Sequence, residues 1–297
     1  MGILEGKVAI VTGAGRGLGR SHALMMAREG AKVVVNDLGG EIDGGGVSNT
    51  PAQAVVDEIR SGGGTASANY DDVASWQGAE HLVQQAVTEH GQLDVLVNNA
   101  GILRDRMCFN MAEDDWDSVI RVHLKGHFAP TRFACVYWRE RHKAGRPIAG
   151  RIVNTASEAG VIGNAGQANY SAAKAGILAL TLVIAREMEK YGVAANVIAP
   201  RAVTRMTESL FTAFGDEAMK QLEPESVSAL VTFLASDQVA ADINGQAFII
   251  YGGLIQLLRG WETVATIEKS GGWTLGEVRS RLPELFRAAP SKLRPLG

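Results

Sequence analysis

Tyr170 and Lys174 stand four residues apart in the run "QANYSAAKAGI" (residues 167–177), among alanines and a glycine that build a closely packed helix. That spacing puts both side chains on one helix face, one turn apart. A free phenol ionises at about pH 10 and a free lysine at about 10.4, so neither alone is a useful base at neutral pH. Side by side they form a candidate acid–base unit in which each charge acts on the other. Taken alone, the pair reads better as a partly buried aromatic beside a lysine whose stem lies along apolar surface. Its meaning depends on what the rest of the chain brings to it.

A second stretch with chemical content is "VTGAGRGLGR" (11–20), where Gly13, Gly17 and Gly19 are spaced G-x-x-x-G-x-G. It departs from the strict G-x-G-x-x-G pattern, because Leu18 holds the last glycine place counted from Gly13. The chemistry is the same. Glycines allow a tight turn and close backbone approach, and a helix starting there offers free N–H groups and a positive dipole end to a pyrophosphate. An ordinary tight strand-to-helix turn would carry similar residues. Asp37 ends the next strand pattern, in "KVVVND". A carboxylate there accepts hydrogen bonds from adenosine ribose hydroxyls and repels a 2′-phosphate, which points to NAD rather than NADP. A helix-capping or turn aspartate is the plain alternative, and Arg16 points the other way, since a basic residue in the glycine turn can hold a 2′-phosphate. Asp37 is the better placed of the two, and NAD is the expected cofactor.

These residues need elements to hold them. Strand-like runs at 7–13, 32–37, 65–70, 93–101, 150–157, 193–200 and 246–253 alternate with helical stretches at 18–29, 51–61, 75–90, 113–140, 169–190 and 225–236. Continuous apolar strands alternating with helices predict an α/β fold, a Rossmann-type doubly wound parallel sheet of seven strands covered on both faces. The domain is expected to span 1–253, with 254–297 as a C-terminal extension packed on it or on a neighbouring subunit. Two segments exceed the minimal plan: the Gly-rich loop "LGGEIDGGGVSNTPAQ" (38–53), longer than compact domains ordinarily use, and the extension itself, with its two tryptophans.

Composition narrows the class. A chain of 297 residues, 46% hydrophobic, builds one large core. Net charge is −3 and no long basic run occurs, so nucleic acid is not an expected partner. Cys108 and Cys135 lie far apart with no CxxC, which reads as reduced thiols in a cytoplasmic protein. The N-terminus carries Glu5 and Lys7 and runs straight into a strand pattern, unlike a signal peptide. The most apolar stretch, 175–185, is shorter than the roughly 20 residues a membrane helix needs, so no membrane partner is expected.

In combination, TG-x-x-x-G-x-G at 12–19, "NNAG" at 98–101, Ser157, and Tyr170 with Lys174 resemble the short-chain dehydrogenase/reductase family, in the family's order. The resemblance implies that Tyr170 is the general acid/base and that Lys174 lowers its pKa and holds the nicotinamide ribose. It also implies that Ser157 hydrogen-bonds the substrate oxygen while hydride passes to the nicotinamide. An ammonium within a few ångströms favours a phenolate, and a shift of about three units corresponds to roughly 4 kcal/mol. The same resemblance places the cofactor on Gly13, Gly15, Arg16, Gly17, Leu18, Gly19, Asp37, Asp72, Val73, Asn99, Ala100, Gly101 and Pro200, with Tyr170 and Lys174. Many members carry an asparagine within V-N-L-x-G-x-F, described as holding a helix irregularity and a water that links the lysine to solvent. Here "RVHLKGHF" puts His123 in that place, either as a variant relay or as a packed side chain. His127 lies four residues on, but no third metal ligand has recognisable spacing, and no metal is expected.

Within the family, "ANYDDV", "NNAGILRDR", "DWDSVIRVHLKGHF", "GNAGQANYSAAKAGI" and "RMTESL" are similar to the (3R)-hydroxyacyl-CoA dehydrogenase domain of peroxisomal multifunctional enzyme type 2, or 17β-hydroxysteroid dehydrogenase type 4, and to stand-alone actinobacterial relatives. This implies NAD-dependent oxidation of a (3R)-hydroxyacyl-CoA, with a steroid-derived acyl group as one case, to the 3-oxoacyl-CoA. A hydroxysteroid dehydrogenase, an NADPH-dependent 3-oxoacyl reductase and a non-catalytic nucleotide-binding protein are the alternatives. Residues 201–222, rich in Met and Phe, sit where the family has a substrate lid, with Arg201 where a glycine often follows the proline. The extension's seven Lys/Arg against four Glu would attract CoA phosphates or simply form a solvated face. The helices at 113–140 and 169–190 commonly pair between subunits in this family, which implies a homodimer or homotetramer.

Overall fold

A computed structural model of the chain describes residues 2–147, 149–202, 222–239, 243–260 and 262–288. Seven strands, β1 (Val8–Thr12), β2 (Lys32–Asn36), β3 (Thr65–Asn69), β4 (Val95–Asn98), β5 (Arg151–Thr155), β6 (Ala194–Pro200) and β7 (Ala247–Tyr251), follow one another in the chain. The helices between them are α1 (Gly17–Arg28), α2 (Thr50–Ser61), α3 (Trp76–His90), α4 (Glu113–Ile120), α5 (Gly126–Lys143), α6 (Ala159–Ile162), α7 (Ala168–Met188) and α8 (Pro224–Leu234). β1 pairs in parallel with both β2 and β4, β2 with β3, and the ladder runs on through β5, β6 and β7. The chain therefore winds outward from β1 to β3, then returns to lay β4 on the other side of β1. That reversal opens a crevice above the carboxyl ends of β1 and β4, where doubly wound folds bind ligands.

Strands covered on both faces must be apolar throughout, and β1 (VAIVT) and β4 (VLVN) are buried at every position. One core lies under α1, α2 and α8, through residues such as Met26, Val56, Ile59, Val231 and Leu234. The other lies under α3, α5 and α7, through Leu82, Phe133, Trp138, Ile184 and Met188. Trp138, fully buried, donates its indole N–H to the Leu93 carbonyl at 2.7 Å, so the largest core side chain leaves no polar atom stranded.

Three elements depart from expectation. Among the described residues the sheet has eight strands, not seven: β8 (Leu254–Leu258) adds to the β7 edge after the two-residue Gly252–Gly253 link, a connection that only an antiparallel neighbour permits. The continuous helix expected over 113–140 is broken by a π turn at Arg121–Lys125 between α4 and α5, with His123 at its centre. The strand expected at 93–101 ends at Asn98, because Asn99 and Ala100 turn their N–H groups to the Thr12 hydroxyl instead of to a ladder. In addition α7, with the turn that follows it to Tyr191, is long and apolar enough by composition to cross a membrane, contrary to the shorter apolar stretch read from the sequence. It buries Asn169, Lys174 and Thr181 along with Ile177 and Ile184.

The chain divides into two compact units, Met1–Leu257 and Leu258–Gly297. In the second, α9 (Leu275–Ala288) follows Trp273, whose ring carries the Lys269 ammonium at 5.7 Å and the Arg281 guanidinium at 5.2 Å. Lys269 also pairs with Glu277, so part of this unit's positive charge is already matched.

Candidate active site

The glycine turn, Asp37, the "NNAG" turn and Ser157 each follow the end of a sheet strand. After β1, Gly13 adopts φ +62° and Gly17 φ +52°, a conformation in which L side chains are strained. A side chain at Gly13 would also meet the Ala100 backbone at 2.7 Å, because the "NNAG" turn packs directly against the glycine turn. Asn99 seals that contact by donating its amide to the carbonyls of Thr12 (3.1 Å) and Gly13 (3.2 Å). No side chain caps the start of α1 and no acidic residue occupies its first turn, so this helix end has the N–H groups and dipole that suit a phosphate.

Asp37, just past β2, accepts the N–H of Gly15 at 2.7 Å and that of Gly39 at 2.6 Å. A carboxylate has about four acceptor positions, so capacity remains for two ribose hydroxyls. Arg16 instead donates to the Gly40 carbonyl at 3.2 Å, which draws its side chain onto the Gly-rich loop. Asp72 is tied to Ala74 N–H (2.8 Å) and to the Arg121 guanidinium (2.6 Å), and Val73 beside it is buried. Gly13, Arg16, Gly17, Leu18, Asp37, Asp72, Val73, Asn99, Ala100 and Gly101 line one cleft. Gly15 and Gly19 support it from behind; a side chain at Gly19 would strike the Gly13 carbonyl at 2.2 Å. The residues present fit a dinucleotide. Pro200 closes β6 two strands away, and its neighbour Arg201 grips Glu158 with two hydrogen bonds of 2.5 and 2.7 Å.

Ser157 follows β5, while Tyr170 and Lys174 rise from the first turns of α7, and the fold brings the three together. The Ser157 hydroxyl hydrogen-bonds the Tyr170 phenol, and the Lys174 ammonium lies 5.4 Å from the Tyr170 ring centre. Lys174 is 2% exposed and donates to the Thr155 carbonyl at 2.6 Å. Burial dominates both ionisations. It pushes Tyr170 up to about 12, with Asp105 adding to the rise and Ser157 opposing it. It also pulls Lys174 down to about 7. Loss of hydration disfavours the charged form of each.

His123 is buried, its ring edge-on to Tyr170 at 5.1 Å between centres. Its Nε2 faces both the N–H (3.1 Å) and the carbonyl (2.8 Å) of Ile102. Burial pulls its pKa to about 3, with the Lys174 charge pressing the same way, so the ring is neutral. Gly101 makes room for it; a Cβ there would sit 2.4 Å from His123 Cε1. His127 is buried as well, and among the described residues no group of three His, Cys, Asp or Glu could hold a metal ion. The lid expected at 201–222 lies outside the described residues except for Arg201, Ala202 and Leu222.

Sequence reasoning missed several supports. The Thr12 hydroxyl anchors the "NNAG" turn, Arg121 holds Asp72, and Asn169 is bonded on three sides beside Tyr170. Only the threonine before Gly13 and the asparagine before Tyr170 left a local mark, each adjoining a motif already noted.

A glycine-turn cleft at the reversal of a parallel sheet, with serine, tyrosine and lysine clustered on the neighbouring strand and helix, defines a nucleotide-dependent oxidoreductase of the short-chain type. The chain belongs to the short chain dehydrogenase family, which matches residues 7–214, and it is an oxidoreductase acting on CH–OH groups. It is 52% identical over 264 residues to the hydroxyacyl-CoA dehydrogenase ChsB1 of Mycobacterium tuberculosis, covering 86% of this chain and 80% of that one. It is 46% identical over 258 residues to mouse peroxisomal multifunctional enzyme type 2, covering 87% of this chain and 33% of that longer protein. The crystal structure of a short chain dehydrogenase from Mycobacterium avium superposes over the full length of both chains, with a TM-score of 0.88 and 48% identity.

Proposed function

We propose that the chain oxidises the 3-hydroxyl of a hydroxyacyl-CoA to the ketone with NAD as hydride acceptor and Tyr170 as general base. The observation that carries the reading is the Ser157–Tyr170–Lys174 cluster beside a cleft that Asp37 lines and braces through Gly15. The substrate class is supported by the names of the two hydroxyacyl-CoA and multifunctional relatives. The choice of NAD rests on Asp37, whose negative charge opposes a 2′-phosphate.

When bound, the dinucleotide takes up hydride and, in its oxidised form, brings a positive charge that favours the phenolate. Tyr170 Oη accepts the carbinol proton, and Ser157 Oγ donates a hydrogen bond to the substrate oxygen and steadies the phenol. Lys174, held by the Thr155 carbonyl, places its amine beside the Tyr170 ring.

The deciding assay follows NADH formation by the purified protein with (3R)-hydroxyacyl-CoAs of graded length, including steroid-derived acyl groups, and with free hydroxysteroids. NADH formation with acyl-CoA substrates, and with NADP at least about tenfold less effective, is the expected result. Turnover with free hydroxysteroids but with no hydroxyacyl-CoA would overturn the substrate assignment.

A further inference from the structure

Tyr170 can act only if its phenol is held at a fixed place, and the residue just before it makes more contacts than a helix start requires. Asn169 is fully buried, and its Oδ1 accepts the Tyr170 N–H at 2.7 Å. Its Nδ2 donates to the Arg104 carbonyl at 3.0 Å and to the Asp115 carbonyl at 2.9 Å. Turning the amide over would set its oxygen against two carbonyls and its NH2 against an N–H, so the network admits one orientation.

The Tyr170 N–H is among the first N–H groups of α7, which have no partner within the helix. The N-cap residue, Gln167, does not cap with its side chain, and Asn169 supplies an acceptor from inside the first turn. Capping would need only that one oxygen. The two donations run outward, to Arg104 in the segment after "NNAG" and to Asp115 in the first turn of α4.

The segment 102–106 is itself held from its other side. Leu103 N–H donates to the Ile42 carbonyl at 2.9 Å, and Arg104 Nε donates to the Asp43 carbonyl at 2.8 Å. Both acceptors belong to the Gly-rich loop that borders the dinucleotide cleft. A continuous run of hydrogen bonds therefore joins the loop beside the cleft, through Arg104 and Asn169, to the backbone of Tyr170.

We propose that Asn169 is a positioning residue: its amide sets the start of α7, and with it the Tyr170 phenol, against the segment that frames the dinucleotide cleft. The inference rests on the reading of Tyr170 as general base. Displacing a reacting group by about 1 Å is enough to reduce a rate about 10²-fold without touching substrate affinity.

The test compares Asn169→Leu, which removes all three hydrogen bonds, with Asn169→Ser, which keeps one hydroxyl, by steady-state kinetics and by NADH binding followed through its fluorescence. In Asn169→Leu, kcat is expected to fall about 10²-fold while KM and the NADH Kd stay within about threefold; Asn169→Ser falls less. Should the leucine variant fail to fold, the serine variant carries the same test with a smaller expected drop. An unchanged kcat in a variant that binds NADH normally overturns the proposal, as does a loss of kcat matched by an equal loss of NADH affinity. Tyr170→Phe separates the two readings. Turnover surviving in that variant defeats the base assignment and this inference with it, whereas a dead Tyr170→Phe beside a fully active Asn169→Leu defeats this inference alone.

Discussion

Asp37 and Gly15 are joined by a 2.7 Å hydrogen bond from the glycine's N–H to the carboxylate, so the residue proposed to choose the cofactor also braces the turn proposed to hold its phosphates. A substitution at Asp37 therefore acts on both. Asp37→Ala is expected to lower kcat/KM with NAD by about 10- to 100-fold and to raise the ratio of NADP to NAD activity. Parallel titration of the two dinucleotides reads both effects. If the ratio does not move, Asp37 plays no part in the selection.

Tyr170→Phe removes the phenolic oxygen and leaves the ring that packs against His123. Turnover is expected to fall by at least about 10²–10⁴-fold while NADH binding, measured by fluorescence, stays close to that of the wild type. A parallel loss of binding would instead make the residue a structural part of the cleft.

His123 and Gly101 are sterically coupled. A Cβ at position 101 would lie 2.4 Å from His123 Cε1, so Gly101→Ala is expected to destabilise the protein by about 1–3 kcal/mol through overpacking. The same change made together with His123→Ala should cost clearly less than the two single effects combined, since the second removes the ring that the first collides with. Thermal or urea unfolding of the four proteins measures the coupling, and simple additivity would contradict it.

Lys174 and His123 give stability opposite ends of one pH curve. Lys174 is pulled down by burial to about 7 from an ordinary value of 10.5, so between those values the unfolded chain binds the extra proton and folding stability rises with pH. His123 is pulled from 6.5 to about 3, so stability is lost as the pH falls below 6.5 towards 3. His22 and His127, also buried, press the same way at the acid end. Lys174→Met is expected to flatten the slope between pH 7 and 10.5, and His123→Asn to flatten part of the slope between 6.5 and 3. Urea midpoints across pH read both slopes directly.

The parallel sheet was legible because its strands are buried on both faces, which forces the continuous apolar runs seen at Val8–Thr12, Lys32–Asn36 and Val95–Asn98. The glycine turn was legible for a related reason: positive φ at Gly13 and Gly17 admits few other residues. Tyr170 and Lys174 announced themselves through helix periodicity. The eighth strand escaped notice because Leu254–Leu258 sits at an edge with only partial burial, and an edge strand does not impose a pattern as strict as a central one. The π turn at His123 was legible only through the family resemblance, which places a helix irregularity at that position. The imidazole in that turn meets the Ile102 backbone, a contact between residues 21 apart in the chain.

The order of elements, the glycine geometry and the identity of the reactive side chains are local properties, set by periodicity and backbone sterics, and the amino-acid sequence alone determined them. The ionisation of those side chains was decided by tertiary structure. Burial lifts the Tyr170 phenol and lowers the Lys174 ammonium, and the extent of burial depends on which distant segments close around them. The same holds for Asn169, which the sequence marks only by its place beside Tyr170. It acquires its meaning when Arg104 and Asp115 present their carbonyls to it from another part of the chain, because a hydrogen bond requires two atoms to meet in space.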